Sequence, residues 1–157
     1  MDNKYVKIHT TGCEAPLKVT SGHFATNHAH INYYIDMTTL KTRLSEAQEI
    51  AKSLMGMFLY DTVVDTIVCL EGTQVIGSFL AQELTGAGVL SMNAHKTIYI
   101  VTPEYNSNSQ MVFKENILPM IRGKNVILLT ASVTTGLALN KGIESVLYYG
   151  GVLRGIT

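Results

Sequence analysis

The sequence predicts an α/β fold: a twisted, mostly parallel sheet with helices on both faces and an N-terminal β-hairpin. Three observations carry this. Short continuous apolar runs recur along the chain, as in strands buried on both faces. Amphipathic stretches at helical spacing separate them, and such alternation gives right-handed crossovers. Before the first helix, residues 31–37 alternate with period two, the pattern of a half-buried antiparallel strand.

Residues 1–40 form an N-terminal hood and 41–157 the α/β core of one expected domain. In the hood, Ile31, Tyr33, Ile35 and Met37 point one way, and Asn32, Tyr34 and Asp36 the other. With Ser21-Gly22 and Asn27-His28 as turn signals, 17–37 reads as a hairpin unit. Leu44, Ala47, Ile50, Ala51, Leu54, Met55, Phe58 and Leu59 then fall on one helical face, and Ser45 with Gln48 matches a capping box. Residues 65–70 are an apolar strand, followed by the loop Glu71-Gly72-Thr73. Val75, Ile76, Phe79, Leu80 and Leu84 mark a second helix, which Gly86 and Gly88 end. Residues 97–102 form a strand, 103–110 a polar loop, and 111–121 a short helix with Pro119 near its end. A third apolar strand covers 125–129, a Thr-Thr-Gly turn 134–136, a helix 137–149 and a last strand 152–156. Ligands of such a sheet collect at the carboxyl ends of its strands.

The chain has 157 residues, 46% of them apolar and 15% charged, which excludes a disordered protein. Twelve basic residues balance twelve acidic ones, so there is no basic footprint for general nucleic-acid binding, and charge repulsion does not oppose self-association. Cys13 and Cys69 make no disulfide framework, and Cys69 in the run Ile67-Val68-Cys69-Leu70 reads as a buried thiol. No stretch of about 18 apolar residues predicts a membrane span. The polar start lacks a secretory signal, so a cytoplasmic location is expected.

The strongest local signal runs from Val126 to Gly136. A buried strand enters a Thr-Thr-Gly turn and then a helix, an arrangement whose backbone N–H groups cradle a phosphate. Thr134 and Thr135 add hydroxyl donors, and Gly136 allows close approach. The alternative is a plain helix cap by Thr134 or Thr135. His28 and His30, two apart, share a strand face, but no third metal ligand is evident, and solvated histidines are the plainer reading. Tyr33 and Tyr34 suit the core, a dimer interface or base stacking.

These segments resemble the type I phosphoribosyltransferases, and the orotate phosphoribosyltransferases most of all. The resemblance rests on apolar residues 126–129 with Thr134-Thr135-Gly136, on Leu17-Lys18-Val19-Thr20-Ser21-Gly22 with Tyr33-Tyr34-Ile35-Asp36, on Asp65 to Gly72, and on Tyr148-Tyr149-Gly150-Gly151. It covers nearly the whole chain. It implies a hood over a phosphate-binding crevice formed by Ser132, Thr134, Thr135, Gly136, Leu137 and Ala138. It also implies a pyrophosphate loop at Glu71, Gly72, Thr73 and Gln74, and a homodimer.

The departures from the family pattern fall on one reaction. Where the family has two acids facing the ribose, this chain has Thr130 and Ala131. Leu137 and Ala138 follow Thr-Thr-Gly in place of Gly and a hydroxyl residue, and residues 102–110 carry no Lys or Arg. A pyrophosphate leaving group needs cations, and its Mg²⁺ needs oxygen ligands. The reading is therefore a protein that binds a nucleotide or sugar phosphate without phosphoribosyl transfer, with no catalytic residue, resident metal or certain cofactor. The alternatives are an active enzyme moving ribose 5-phosphate from phosphoribosyl diphosphate to a pyrimidine-like base with Mg²⁺, and a regulatory partner that uses the fold as an interface.

Overall fold

The computed structural model describes residues 5–25 and 30–157, so the Asn27-His28 turn signal and His28 as a ligand lie outside the described residues. The hairpin expected over 17–37 is present as β2 (Cys13–Ala25) and β3 (His30–Asp36). β1 (Val6–Thr10), which no periodicity announced, pairs antiparallel with β2 and gives the order β1-β2-β3. Ser21-Gly22 is not a turn. Both residues lie inside β2, where the pairing register slips between Ser21 and Phe24, as glycine in a strand permits.

Directly opposed residues share a face of a sheet. Val6, Val19 and Ile35 therefore form one row, flanked by Ile8 opposite Leu17 and by Ser21 opposite Tyr33. The alternation groups these apolar residues correctly, but among the described residues nothing covers the whole row. Val6 is 62% exposed, Tyr33 66% and Ile35 49%.

A short helix, α1 (Thr38–Thr42), follows, and its Thr38 N–H donates to Asp36 Oδ1 at 2.9 Å. It leads into the amphipathic helix α2 (Leu44–Met55), whose N-cap is Arg43. Ser45 already lies inside α2, so the capping box does not form, and there is no side-chain cap. The helix stops before Phe58 and Leu59, which stay buried beyond its end.

The core alternates as expected through β4 (Thr66–Cys69), α3 (Gln74–Gly86) and β5 (Tyr99–Val101). The helix expected over 111–121 is absent. β6 (Glu104–Tyr105) pairs with β7 (Met111–Val112), and a 3-10 turn covers Glu115–Met120. Met111 and Phe113, two apart, are both buried, a strand-like spacing, while Pro119 cannot donate within a helix. β8 (Asn125–Leu129), α4 (Leu137–Tyr148) and β9 (Val152–Ile156) complete the chain.

The central sheet is parallel in the order β5-β4-β8-β9. Its period of two divides the core. Ile67, Cys69, Ile127 and Leu129 pack with Ala47, Ala51, Leu80 and Leu84 of α2 and α3. Val68, Leu70, Val126 and Leu128 pack on the other face with Phe113, Ile121 and Val146. All four strands run the same way, so the residues that follow them, Glu71, Thr102, Thr130 and Thr157, gather along one edge. Among the described residues, no helix is long and apolar enough to cross a membrane.

Candidate functional site

The crevice is built where β8 ends. Thr130 continues the ladder for one more bond, its N–H donating to Thr157 O at 2.9 Å. The chain then leaves the sheet, and among the described residues the N–H groups of 131–136 donate to no protein acceptor. Gly136 turns the chain into α4 with φ 75°, the left-handed region that glycine tolerates, and itself forms the N-cap. The Leu137 N–H lies 3.4 Å from Thr135 Oγ1, a long contact, and α4 has no side-chain cap. Thr134 and Thr135 are exposed rather than committed to capping. The expected strand-end loop leading to a helix N-terminus is thus present, with Ser132, Thr134 and Thr135 on its open side. Leu137 stands 51% exposed at its mouth.

The β4–α3 loop forms the neighbouring wall. Thr73 is fully buried, and its Oγ1 donates to Leu70 O at 2.8 Å and Leu129 O at 3.2 Å, so its side chain braces the loop instead of facing a ligand. Glu71 and Gly72 are both left-handed, with φ 53° and 80°, and both are exposed. Gln74 Nε2 donates to Thr102 Oγ1 at 3.2 Å, linking this loop to the end of β5.

Two contacts at this edge were not legible in the sequence. The Thr130 hydroxyl lies 3.3 Å from both Glu71 Oε2 and Ser132 O, which share its one hydrogen, so a carboxylate from the neighbouring strand end reaches the first of the two positions that lack their acids. Lys41, on the unexpected helix α1, donates from Nζ to Glu71 O at 2.9 Å. No motif signals Lys41, because its place depends on how α1 packs.

The loop that lacks cations is a tight hairpin. Asn106 Oδ1 accepts from the N–H groups of Asn108 at 3.0 Å and Gln110 at 2.9 Å. Lys141 of α4 donates to Ser109 O at 2.8 Å. Lys114 pairs with Glu104 at 2.7 Å, and Lys96 with Asp65 at 3.2 Å near the start of β4.

Mg²⁺ takes oxygen ligands, chiefly carboxylates and substrate phosphates. Thr130 and Ala131 offer no charge, and among the described residues the one carboxylate that reaches Thr130 belongs to a residue whose carbonyl holds an ammonium group. Among the described residues, no three His, Cys, Asp or Glu side chains come together. These residues do not fit a resident Mg²⁺. In the hood, His30 Nδ1 lies 2.8 Å from His23 Nε2.

With this geometry, solved structures of the same architecture are informative. The orotate phosphoribosyltransferase of Mycobacterium tuberculosis H37Rv in complex with Fe(III) dicitrate superposes with a TM-score of 0.60 at 14% identity, over 89% of this chain and 75% of that one. The same enzyme with inorganic phosphate gives 0.57 at 16% identity, over 88% and 72%. Leishmania donovani UMP synthase gives 0.61 at 20% identity, over 88% of this chain but 27% of that longer one. The chain has the type I phosphoribosyltransferase fold. No family model and no curated protein matches its sequence. The expected fold and its N-terminal hairpin are therefore correct, and at these identities the likeness concerns the fold.

Proposed function

We propose that the chain binds a phosphorylated small molecule, a nucleotide or sugar phosphate, at the β8–α4 loop, without phosphoribosyl transfer. The observation that carries this is the run of N–H groups at 131–136, unpaired among the described residues and leading into the N-terminus of a twelve-residue helix. The similar M. tuberculosis structure holding inorganic phosphate supports the ligand class. Against turnover stand Thr130 and Ala131 and the cation-free segment 102–110. A charge-assisted hydrogen bond contributes about 1.5–3 kcal/mol, so losing two ribose-facing acids weakens phosphoribosyl diphosphate binding roughly a hundredfold or more.

Calorimetry with ribose 5-phosphate should show binding, and a coupled assay with orotate, phosphoribosyl diphosphate and Mg²⁺ should show no consumption of orotate. Clear turnover would favour the second reading, an active transferase, for which the Glu71 carboxylate beside Thr130 is the specific support. We also propose a homodimer formed through the uncovered apolar face of the hood.

A further inference from the structure

We propose that Glu71 reads the hydroxyls of a sugar monophosphate, and that the β4–α3 loop is a diol-binding wall instead of a pyrophosphate loop. The inference rests on the phosphate reading of the β8–α4 loop. Glu71 is exposed and left-handed at φ 53°, a backbone state that a non-glycine residue adopts only when its surroundings hold it there. Three contacts hold this turn in place. Lys41 Nζ donates to the Glu71 carbonyl at 2.9 Å, and Thr73, fully buried, ties the loop to the ends of β4 and β8. The carboxylate is thereby brought to the Thr130 hydroxyl at 3.3 Å, at the start of the loop whose N–H groups have no protein acceptor among the described residues.

The charge of this carboxylate decides what it selects. An exposed carboxylate one strand away from a phosphate cradle repels a second anionic group. It attracts hydroxyl donors, and a carboxylate at a strand end recognising ribose hydroxyls beside a phosphate site is an established chemical solution. A sugar or nucleoside monophosphate satisfies both walls: phosphate on the N–H groups, vicinal hydroxyls on Glu71. A diphosphate on the sugar places negative charge against Glu71. Lys41 acts as a positioning residue, because its ammonium is held on the Glu71 carbonyl.

The test compares inorganic phosphate, ribose 5-phosphate and 2-deoxyribose 5-phosphate by calorimetry with the full chain. The native protein should bind ribose 5-phosphate about tenfold more tightly than the 2-deoxy sugar, the scale of one charge-assisted hydrogen bond. Glu71→Gln should abolish that ratio without lowering phosphate affinity, since it removes a negative charge from beside the cradle. Lys41→Met should reduce the ratio beyond any loss of affinity that the missing cation causes for all three anions alike, and Lys41→Arg should restore it. A general loss of folding would move all three affinities together. A ratio near one in the native protein, or a ratio that survives Glu71→Gln, overturns this inference and leaves the phosphate site standing. No binding of any of the three overturns both.

Discussion

Asp65 fixes the edge of the sheet opposite the crevice. Its Oδ2 accepts from the Asn125 backbone N–H at 2.9 Å and side-chain amide at 2.7 Å, and Lys96 reaches Oδ1 at 3.2 Å. Partial burial pushes its pKa up, but the Asn125 donors and then Lys96 outweigh this and hold the carboxyl below the ordinary 3.8. A depressed carboxyl pKa contributes stability that is full above the ordinary value and lost as pH falls through the folded one. Asp65→Asn should therefore cost about 1.5–3 kcal/mol at pH 7, because the amide that replaces Oδ1 then faces the Lys96 ammonium and the bonds from Asn125 lose their charged acceptor. Urea unfolding should show the gap between variant and native chain closing as the solution is acidified below pH 4. A gap that stays constant into acid would refute the assignment.

Gly77 works by close approach. A Cβ there would sit 2.5 Å from Cys69 Sγ, which lies fully buried on β4 with its thiol pushed up to about 12 by that burial. Gly77→Ala gains about 1 kcal/mol in helix propensity, yet overpacking costs typically 1–3 kcal/mol, so a net loss of stability is expected. Gly86→Ala, in the same helix with nothing within 4 Å, is the control and should be neutral or stabilising. Equal melting shifts for the two variants would show that α3 does not need the glycine. At the crevice, Thr130→Glu with Ala131→Asp adds two acids beside Glu71, which reaches position 130 at 3.3 Å. Binding of phosphoribosyl diphosphate should become Mg²⁺-dependent, while orotate consumption stays absent because residues 102–110 remain uncharged. Turnover by this variant would mean that cations of the loop are not required.

The β6–β7 hairpin shows how one side chain organises an element. Asn106 also donates from Nδ2 to Gln110 Oε1 at 2.9 Å, in addition to the two N–H groups it accepts. Asn106→Ala should speed amide hydrogen exchange across 105–111 while leaving the β4 and β8 amides unchanged. Uniform exchange rates in the two proteins would remove Asn106 from that role. This hairpin also marks where sequence reading stops. The buried strands β4 and β8 were legible because each is apolar on both faces, and α2 because its face repeats at helical spacing. The segment 111–121 mixes Met111, Phe113, Ile117, Leu118 and Ile121, which fit a helix stripe as well as an alternating strand. Only tertiary packing, with Met111 and Phe113 turned into the core, separates the two. The loop from β8 into α4 was legible from Thr-Thr-Gly after a strand. Glu71 meeting Thr130 was not, since the residues are far apart in sequence and meet only through parallel pairing of β4 with β8.

At the scale of the whole molecule, the hood poses the remaining question. Val6, Val19 and Ile35 form a cross-strand row, with Ile8, Leu17 and Tyr33 on the same face. Val6, Ile8, Tyr33 and Ile35 are each at least 45% exposed. Burying one such side chain fully is worth about 1.5–3 kcal/mol, so covering the row contributes several times that before the entropy of association is subtracted. The zero net charge of the chain opposes association by no long-range repulsion. A two-fold interface lays the same patch on itself, and a stable one covers about 800 Å² per partner. Leu44 at the start of α2, 68% exposed, and Met57 beyond its end, 57% exposed, are the other candidates for that area. Light scattering at micromolar concentration should give a mass near 34 kDa, twice the 17.2 kDa of one chain. Tyr33→Glu with Ile35→Glu puts two charges on the face and should give the single-chain mass with unchanged circular dichroism. A native chain that stays monomeric under these conditions would refute the homodimer, and a double variant that stays dimeric would move the interface away from the hood.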